Sequence, residues 1–391
     1  MVKRYLNLDM LLGKTRSSFL FGPRGVGKTM LSLEFVKSKC NTFMVDLFNY
    51  EVFTRYLTLP GLFRKEIEHK LESGALTVFV DEIQKIPALL DEIHSLIEQN
   101  KTRIQFLMTG SSARKLKRGG ANLLAGRAWT LNLHPLTDRE CKIDLKRALQ
   151  FGTLPAIYLQ DEVPERTLKA YVETYLKEEI MQEAILRRID KFIRFLDVAG
   201  QMNGEPVNFT KIARDCGVST KTAIDFFSIL TDTLLAFRIE GWTHSIRKQL
   251  CQSPKFYFFD CGVLNAINGE LKSELKEGSY RFGKLFETFV VQELIRLNDY
   301  TESGYHFYYW RTNTGLEVDI ILSKNYSEPP IAIEIKSSNS PTERDMHALK
   351  SFKSENKKAI LYCICLCPKP YRLGNITVYP WRQAMEKIFP S

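Results

Sequence analysis

The chain has 391 residues, of which 44% are hydrophobic and 26% are charged, a composition that excludes a disordered protein and predicts a soluble globular one. Its length predicts two or three domains. The formal net charge of +10, from 55 Lys and Arg against 45 Asp and Glu, modestly favours a polyanionic partner. No apolar run reaches a membrane span and the N-terminus lacks a secretory apolar block, so we expect a cytoplasmic protein without membrane contact.

The eight cysteines are scattered except for one cluster, "YCICLC". Cys363, Cys365 and Cys367 alternate with apolar residues, which places three thiols on one face of a strand. Zinc sites usually use two-residue gaps and a second pair of ligands. The cluster is therefore interpreted as buried small hydrophobic residues, and reduced thiols fit a cytosolic setting.

A phosphate-binding loop follows the first apolar strand, in "SSFLFGPRGVGKTMLSLEFV". The loop fits the pattern GxxxxGK[ST], in which backbone N–H groups wrap the phosphates of a nucleotide. Lys28 is expected to reach the β- and γ-phosphates, and the Thr29 hydroxyl is expected to ligate Mg²⁺. The predicted ATP-binding residues are Gly22, Pro23, Arg24, Gly25, Val26, Gly27, Lys28, Thr29 and Met30.

A second apolar strand, in "LTVFVDEIQKIP", ends in two acids. Open α/β sheets bind ligands at the carboxyl ends of their strands. Asp81 is expected to hold the hydrated Mg²⁺, and Glu82 to orient and deprotonate the attacking water. Because a small-molecule kinase has less need for the second acid, the pair favours hydrolysis of ATP over transfer of its phosphate to a metabolite.

A third buried strand, "RIQFLMTGSSARK", ends near Thr109, Ser111 and Ser112. With this strand the chain resembles the AAA+ superfamily, in the segments GPRGVGKT, VFVDEIQ and FLMTGSSARKL. More narrowly it resembles prokaryotic predicted ATPases whose C-terminal half is a domain of unknown function. The similarity extends through "LLAGRAWTLNLHPLT", "FGTLPAIY", "PKFYFFDCGVL" and "GKLFETFVVQEL".

The resemblance implies roles for two further residues. Thr109 would sense the γ-phosphate, and Arg127 would be an arginine finger or sensor, which in trans requires a homo-oligomer. From the residues alone, Arg127 is an arginine in a loop near a basic patch. That patch is interpreted either as a solvated loop or as a nucleic-acid contact, and its members are Arg114, Lys115, Lys117 and Arg118.

After about residue 150 the pattern becomes helical, which predicts a connector. Residues 207–243 then predict a short helix, a turn at Gly217, a longer helix capped by Ser219, and a wing strand in "LLAFRIEGW". This is the layout of a winged helix-turn-helix. DNA binding and protein binding both stay open, because the exposed face of the longer helix offers only one cation among Thr220, Lys221, Asp225 and Ser228. Flanking cations that can contact phosphates are Arg187, Arg188, Lys191, Arg194, Arg247 and Lys248.

The C-terminal part contains a predicted hairpin in "EVDIILSKNYSEPPIAIEIKSS", preceded by a helix that carries Glu287. Asp319 lies on the first strand, and Glu334 and Lys336 lie on one face of the second. This order resembles the PD-(D/E)XK nuclease superfamily. Three carboxylates from a helix and two strands can bind Mg²⁺ or Mn²⁺, which polarises a phosphodiester and activates a water, while Lys336 positions that water. The alternatives are a salt-bridged sheet edge and a relic nuclease fold that is retained for binding.

The predicted fold class is therefore α/β, with three domains. Residues 1–150 form a P-loop AAA+ type domain with a parallel sheet, residues 151–254 a helical connector with a winged helix-turn-helix, and residues 255–391 a restriction-endonuclease-like α/β domain. The expected function is ATP hydrolysis that powers or gates action on DNA or another nucleic acid. The alternative function is a nucleotide-dependent switch or scaffold that binds a protein partner.

Overall fold

The computed structural model describes residues 2–13, 15–111, 114, 116, 124, 126–160, 163–176, 189–243, 253–325 and 327–390. These residues divide into two compact units. The first unit comprises the described residues up to Leu136 together with Asp232–Leu235, and the second comprises the other described residues from Thr137 onwards. The predicted boundaries after residues 150 and 254 both fall within the second unit, and the division into three domains stays a prediction.

The first unit is built on a five-stranded sheet with helices between the strands. Its strands are β1 (Ser17–Phe21), β2 (Thr42–Asp46), β3 (Leu76–Asp81), β4 (Ile104–Gly110) and β5 (Ala128–Asn132). The spatial order is β2-β3-β4-β1-β5, and every neighbouring pair is parallel. The helices are α1 (Leu8–Leu12), α2 (Lys28–Lys37), α3 (Tyr50–Thr58), α4 (Pro60–Leu71) and α5 (Leu89–Gln99).

The three central strands β1, β3 and β4 are buried along their whole length. Their continuous apolar runs are typical of parallel strands that are covered on both faces. The hydrophobic core includes Phe19 of β1, Val78 of β3 and Phe106 of β4. Because all five strands run in one direction, their carboxyl ends share one edge of the sheet, and this edge places the glycine-rich loop, Asp81 and Thr109 together. The three predicted strands and the α/β class are confirmed.

The second unit contains an eight-stranded mixed sheet. Its strands are β6 (Ala236–Gly241), β7 (Lys255–Phe258), β8 (His306–Arg311), β9 (Glu317–Ser323), β10 (Ile331–Lys336), β11 (Ile360–Cys365), β12 (Tyr371–Leu373) and β13 (Ile376–Pro380). The spatial order is β12-β13-β11-β10-β9-β8-β6-β7. The predicted hairpin is confirmed, since β9 and β10 pair antiparallel with Ile333 opposite Ile320.

The described residues of the second unit also contain ten α-helices, six of which lie between residues 145 and 232. They are α6 (Leu145–Phe151), α7 (Pro155–Gln160), α8 (Pro164–Ala170), α9 (Ile189–Gln201), α10 (Phe209–Cys216), α11 (Thr220–Asp232), α12 (Cys261–Ile267), α13 (Tyr280–Tyr300), α14 (His347–Glu355) and α15 (Trp381–Ile388). A π-helical turn, Tyr171–Leu176, follows α8, and a 3₁₀ turn, Glu343–Met346, precedes α14.

The helix-turn-helix is formed by α10 and α11. Gly217 ends α10 with a φ of 62°, and the Ser219 hydroxyl oxygen accepts a hydrogen bond from the Thr222 N–H at 3.1 Å, which confirms the predicted cap. The strand expected as a wing, β6, pairs antiparallel with β7 and parallel with β8, so it is part of the large sheet. Assignment as a winged helix stays a prediction. Arg187, Arg188, Arg247 and Lys248 lie outside the described residues.

The three clustered cysteines lie in the core of the second unit, as predicted. Cys363, Cys365 and Cys367 are all buried in one hydrophobic cluster with Ile376 and Val378. Within the described ranges, no helix is long and apolar enough to cross a lipid bilayer.

Candidate functional site

The glycine-rich loop joins β1 to α2 at the carboxyl edge of the parallel sheet. Gly25 and Gly27 have positive φ values of 84° and 96°, which L side chains rarely adopt. Left-handed residues in such a loop turn backbone N–H groups towards one point and make an anion-binding concavity. Gly27 is also the N-cap of α2, so the positive end of the helix dipole adds to the same site.

Gly22 at the start of the loop is required for space. A Cβ at this position would lie 2.3 Å from the carbonyl oxygen of Leu133, a backbone atom that cannot move aside cheaply. The Leu133 N–H donates to the Phe21 carbonyl oxygen at 2.7 Å, which fixes the segment after β5 against the loop. The loop is thus packed between β1 and the end of β5.

Lys28 and Thr29 begin α2 and meet the end of β3. Lys28 is buried, and its Nζ donates to the carbonyl oxygens of Gly22 at 2.8 Å and Pro23 at 3.1 Å. Thr29 Oγ1 donates to Asp81 Oδ2 at 3.0 Å. The two predicted Mg²⁺ ligands therefore lie in contact although 52 positions separate them in the chain. A hydroxyl and a carboxylate are hard oxygen donors, so this pair fits Mg²⁺.

Glu82 has an unusual backbone conformation at the end of β3. Its φ of 60° and ψ of 48° lie in the left-handed region, which costs a non-glycine residue about 1 kcal/mol or more. Its N–H donates to Thr109 Oγ1 at 3.2 Å, and the Thr109 hydroxyl donates to Asp81 Oδ1. One threonine on β4 therefore connects both acids, which places the predicted sensor beside the predicted base.

Gln84 is a site residue that the sequence prediction missed. It is buried, and its Nε2 donates to Glu82 Oε2 and, at 3.3 Å, to Ser111 Oγ. Gln84 Oε1 is buried without a hydrogen-bond partner among the described residues. The available signal was an amide two positions after Glu82, between Ile83 and Lys85. Gln84 fixes the carboxylate of Glu82 relative to the end of β4.

Replacing Gln84 tests whether this hydrogen bond orients the base. Gln84→Leu is expected to lower kcat for ATP about tenfold with little change in KM, because a displaced general base acts less well while phosphate binding is untouched. Steady-state ATPase assays measure both constants, with the exposed Gln99→Leu of α5 as the matched control. A higher kcat in Gln84→Leu would show instead that the amide restrains Glu82.

Arg127 lies away from the nucleotide-binding loop within its own chain. It precedes β5, whose first residue Ala128 pairs with Ser17 at the amino end of β1, whereas the loop begins after Phe21 at the carboxyl end. Five strand residues span about 16 Å. Arg127 instead pairs with Glu98 of α5, which lowers the pKa of that carboxyl group. This position at the opposite end of β1 disfavours a finger or sensor role within one chain, and the role of Arg127 stays a prediction.

The position of Arg114 changes the interpretation of the basic patch. This side chain is buried, and its Nη1 donates to Asp232 Oδ2. Both expectations for the patch, a solvated loop and a nucleic-acid contact, are therefore wrong for Arg114, because the ion pair takes its guanidinium out of solvent. The other patch members, Lys115, Lys117 and Arg118, lie outside the described residues, as does Ser112.

The second site is a carboxylate cluster on α13, β9 and β10. Burial raises the pKa of Asp319 well above its ordinary value, and the nearby charges of Glu334 and Glu287 raise it further. Burial likewise raises the pKa of Glu334, against the opposing effect of Lys336. The three predicted acids are thus close enough to repel one another, as the hairpin and helix predicted.

Each acid of the cluster already has a polar partner. Asp319 Oδ2 accepts the Ile335 N–H at 2.7 Å, and Glu334 Oε1 accepts from Lys336 Nζ at 2.7 Å. Burial lowers the pKa of Lys336, but Glu334 and Asp319 outweigh that effect and raise it above its ordinary value. Glu287 Oε1 accepts from the Tyr257 hydroxyl at 2.8 Å.

Strand β7 contributes two residues that the sequence prediction missed. Lys255 and Tyr257 are buried on one face of β7, and Lys255 Nζ donates to Glu317 Oε1. Burial raises the pKa of Tyr257, and the negative charges of Glu287 and Asp319 raise it further. The positive charge of Lys255 only partly opposes the raised pKa of Asp319. The available signal was the sequence "KFYF", in which residues with a polar group, Lys255 and Tyr257, alternate with phenylalanines.

The donor set of the cluster fits a hard divalent cation in its chemistry. Glu334 Oε2 is buried and has no hydrogen-bond partner among the described residues, and burial together with neighbouring carboxylates raises the pKa of Asp319 and Glu334. Even so, the part of the chain that the structure describes contains no group of three or more acidic, His or Cys side chains already arranged around a metal position. Metal binding by Glu287, Asp319 and Glu334 therefore stays a prediction.

Comparison with protein families matches three consecutive regions. Residues 14–142 match the family described as an AAA domain, residues 142–274 a domain of unknown function (DUF8612), and residues 282–384 a further domain of unknown function (DUF4143). The five-stranded sheet and the phosphate-binding loop lie in the first region. The chain thus carries a domain of the AAA superfamily and, at its C-terminal end, a DUF4143 domain.

Two curated relatives align with most of the chain, and both are described as uncharacterized proteins. An uncharacterized protein of Mycobacterium tuberculosis is 29% identical over 332 residues, which cover 83% of this chain and 70% of the relative. An uncharacterized protein of Haemophilus influenzae is 22% identical over 316 residues, 74% of each chain.

Among solved structures, one match is a Signal Transduction ATPase with Numerous Domains (STAND) protein with a tetratricopeptide repeat sensor from Pyrococcus horikoshii. The two sequences are 14% identical, and the match covers 77% of this chain and 47% of that one. At a TM-score of 0.25, this similarity supports no conclusion about function.

Proposed function

We propose that this protein is an ATPase whose first unit binds ATP with Mg²⁺ and hydrolyses it. The observation that carries the proposal is the contact of Thr29 with Asp81 beside Glu82, at the mouth of a glycine-rich loop with two left-handed glycines. Separate pieces of sequence converge there on one phosphate-binding edge. The AAA domain match over residues 14–142 supports the same assignment.

The proposed chemistry relies on positioning and charge. The loop N–H groups and Lys28 bind the phosphates, and Lys28 exchanges its present carbonyl partners for phosphate oxygens. Thr29 and Asp81 would hold Mg²⁺, which would neutralise charge on the phosphates. Glu82 orients the attacking water and takes its proton. Thr109 accepts a hydrogen bond from the Glu82 N–H and donates one to the Asp81 carboxylate. It therefore transmits a change at the γ-phosphate to these two acids.

A second activity, metal-dependent cleavage of nucleic acid, is proposed for the carboxylate cluster. The observation that favours it is the buried Glu334 Oε2, which has no hydrogen-bond partner in the described part of the chain and lies among mutually repelling acids. Mg²⁺ or Mn²⁺ on Glu287, Asp319 and Glu334 would polarise the phosphodiester. Lys336 lies on the same strand face as Glu334 and is the group that positions the attacking water.

The competing function is a nucleotide-dependent switch that binds a protein partner. Its support is the set of hydrogen bonds and ion pairs that already occupy Asp319, Glu334 and Glu287. The exposed face of α11 also offers one cation, Lys221, beside the exposed Ile224. An apolar residue at that position suits a protein surface as well as a groove of DNA.

One experiment separates the two functions. The full chain is incubated with ATP, Mg²⁺ or Mn²⁺ and a panel of single-stranded, double-stranded and branched DNA and of RNA, and both phosphate release and strand cleavage are measured. Action on nucleic acid predicts stimulated ATPase that weakens as salt rises, because bound phosphates release counterions. ATP hydrolysis without stimulation or cleavage by any nucleic acid supports the switch. Absence of ATP hydrolysis under all conditions contradicts the ATPase itself.

If Arg127 acts in trans in a homo-oligomer, mixed variants should complement one another. Lys28→Ala chains bind no ATP but keep the finger, whereas Arg127→Ala chains keep the ATP site but lack the finger. Mixing the two is expected to restore part of the ATPase activity that each lacks alone, since a finger contributes at least a thousandfold to turnover in related chemistry. Turnover per parent chain should also rise with protein concentration. Concentration-independent turnover and no complementation would remove Arg127 from the site.

A further inference from the structure

Arg4 precedes α1, and its guanidinium contacts the glycine-rich loop. Its Nη1 donates to the carbonyl oxygen of Val26 at 2.5 Å, and its Nη2 donates to the carbonyl oxygen of His134 at 2.6 Å. A Cβ added to Gly27 would lie 3.6 Å from Arg4 Nη1, so the guanidinium lies over this part of the loop. One side chain therefore joins three segments of the first unit that are distant in sequence.

The contact with Val26 fixes the orientation of a peptide group that faces the phosphates. In a trans peptide the C=O and the next N–H point in opposite directions. When Arg4 holds the Val26 carbonyl on the outer side of the loop, the Gly27 N–H is turned to the inner side. A peptide next to glycine can otherwise rotate at little steric cost, since Gly27 has no Cβ.

We propose that Arg4 is a positioning residue for nucleotide phosphates, because it holds the Val26–Gly27 peptide with the Gly27 N–H directed at the bound β-phosphate. The inference rests on the proposed ATP site and extends that site to the N-terminal segment, outside the region matched as an AAA domain. The ligand class is a nucleoside diphosphate or triphosphate. A monophosphate gains nothing, because its single phosphate does not occupy the centre of the loop.

Arginine suits this role better than lysine. A guanidinium carries several N–H donors in a fixed plane and reaches two carbonyl oxygens at once, whereas an ammonium is a single point charge on a flexible stem. The second bond, to His134, fixes the guanidinium against the segment that already packs on Gly22 through Leu133. The loop is therefore held at its start by Leu133 and near its end by Arg4.

The test is the affinity of the full chain for ADP and for AMP, measured by competition with a fluorescent ADP analogue. Arg4→Met is expected to weaken ADP binding about tenfold, the effect of losing one to two hydrogen bonds, and to leave AMP binding unchanged. Arg4→Lys should resemble Arg4→Met. The matched control is Arg16→Met, because Arg16 lies at the other end of β1 with its guanidinium 3.9 Å from the Trp129 ring centroid.

Melting curves without nucleotide establish that the variants are folded, and if Arg4→Met is not folded, Arg4→Lys decides. The inference would be overturned by any of three results: an unchanged ADP affinity in Arg4→Met, an unchanged ADP affinity in Arg4→Lys, or an equal loss of affinity for AMP and ADP. In these cases the proposed ATP site stands if Lys28→Ala still abolishes ADP binding. If the parent itself binds no ADP, the proposed ATP site fails and the role of Arg4 fails with it.

Discussion

Lys28→Ala is expected to abolish nucleotide binding, whereas Glu82→Gln is expected to bind ATP normally and hydrolyse it about a hundredfold more slowly. Lys28 is the buried cation at the start of α2, and its Nζ lies within 3.1 Å of two loop carbonyl oxygens, at the position where phosphates bind. Glu82 follows the proposed Mg²⁺ ligand Asp81 and is the proposed proton acceptor, whose loss typically costs a factor of about a hundred or more.

Equilibrium binding of a fluorescent ATP analogue and phosphate release measure the two effects separately. Glu34→Gln on α2 is the matched control for the amide substitution, since it makes the same chemical change outside the site. Near-parent turnover in Glu82→Gln would transfer the role of base to another residue. Tight ATP binding by Lys28→Ala would contradict the phosphate site as a whole.

The nucleotide site could be predicted because its signals are local. Five residues of strand, a glycine loop and the start of a helix follow one another in the chain, so the pattern fixes the position of Lys28 and Thr29 relative to the loop. The end of β3 could be placed beside them because the carboxyl ends of parallel strands share an edge. The Thr29–Asp81 hydrogen bond is the direct consequence.

Contacts between distant segments could not be predicted in the same way. Arg4 reaches Val26 and His134 across 22 and 130 positions, and nothing in the alternation of residues 2–7 marks one cation as internal. Arg114 appeared as part of a basic run, but its partner Asp232 is 118 positions away. Which charged side chains leave solvent is decided by tertiary packing, which local periodicity does not record.

The pairing of strand β6 could not be predicted for a related reason. Its sequence after a helix-turn-helix is typical of a wing. Pairing partners depend on loops and on strands far along the chain, here β7 and β8. The carboxylate cluster shows the same limit, since its acids were found on their elements but Lys255 on β7 was not.

In the C-terminal part, added Mg²⁺ or Mn²⁺ is expected to raise the melting temperature of the parent protein, and Asp319→Asn is expected to remove this response together with any cleavage of nucleic acid. A cation that binds only the folded state stabilises it by mass action, by about 3 kcal/mol at a hundredfold excess over its Kd. Asn keeps the shape of Asp319 and its acceptor oxygen for Ile335 but removes the charge. Scanning calorimetry of the full chain without ATP measures the response, with Lys28→Ala as background to exclude the nucleotide site.

The pH dependence without a divalent cation gives an independent check. Burial raises the pKa of Glu334 from 4.5 to about 7, so the folded state binds a proton that the unfolded state releases. Folding stability should therefore fall as pH rises from about 4.5 through 7, and divalent cations or Glu334→Gln should flatten that slope. Lys336→Ala should keep the metal response and lose only cleavage. A stable cluster of ion pairs predicts the reverse: no metal response in the parent, and a destabilised Lys336→Ala protein whose buried Glu334 has lost its counter-charge.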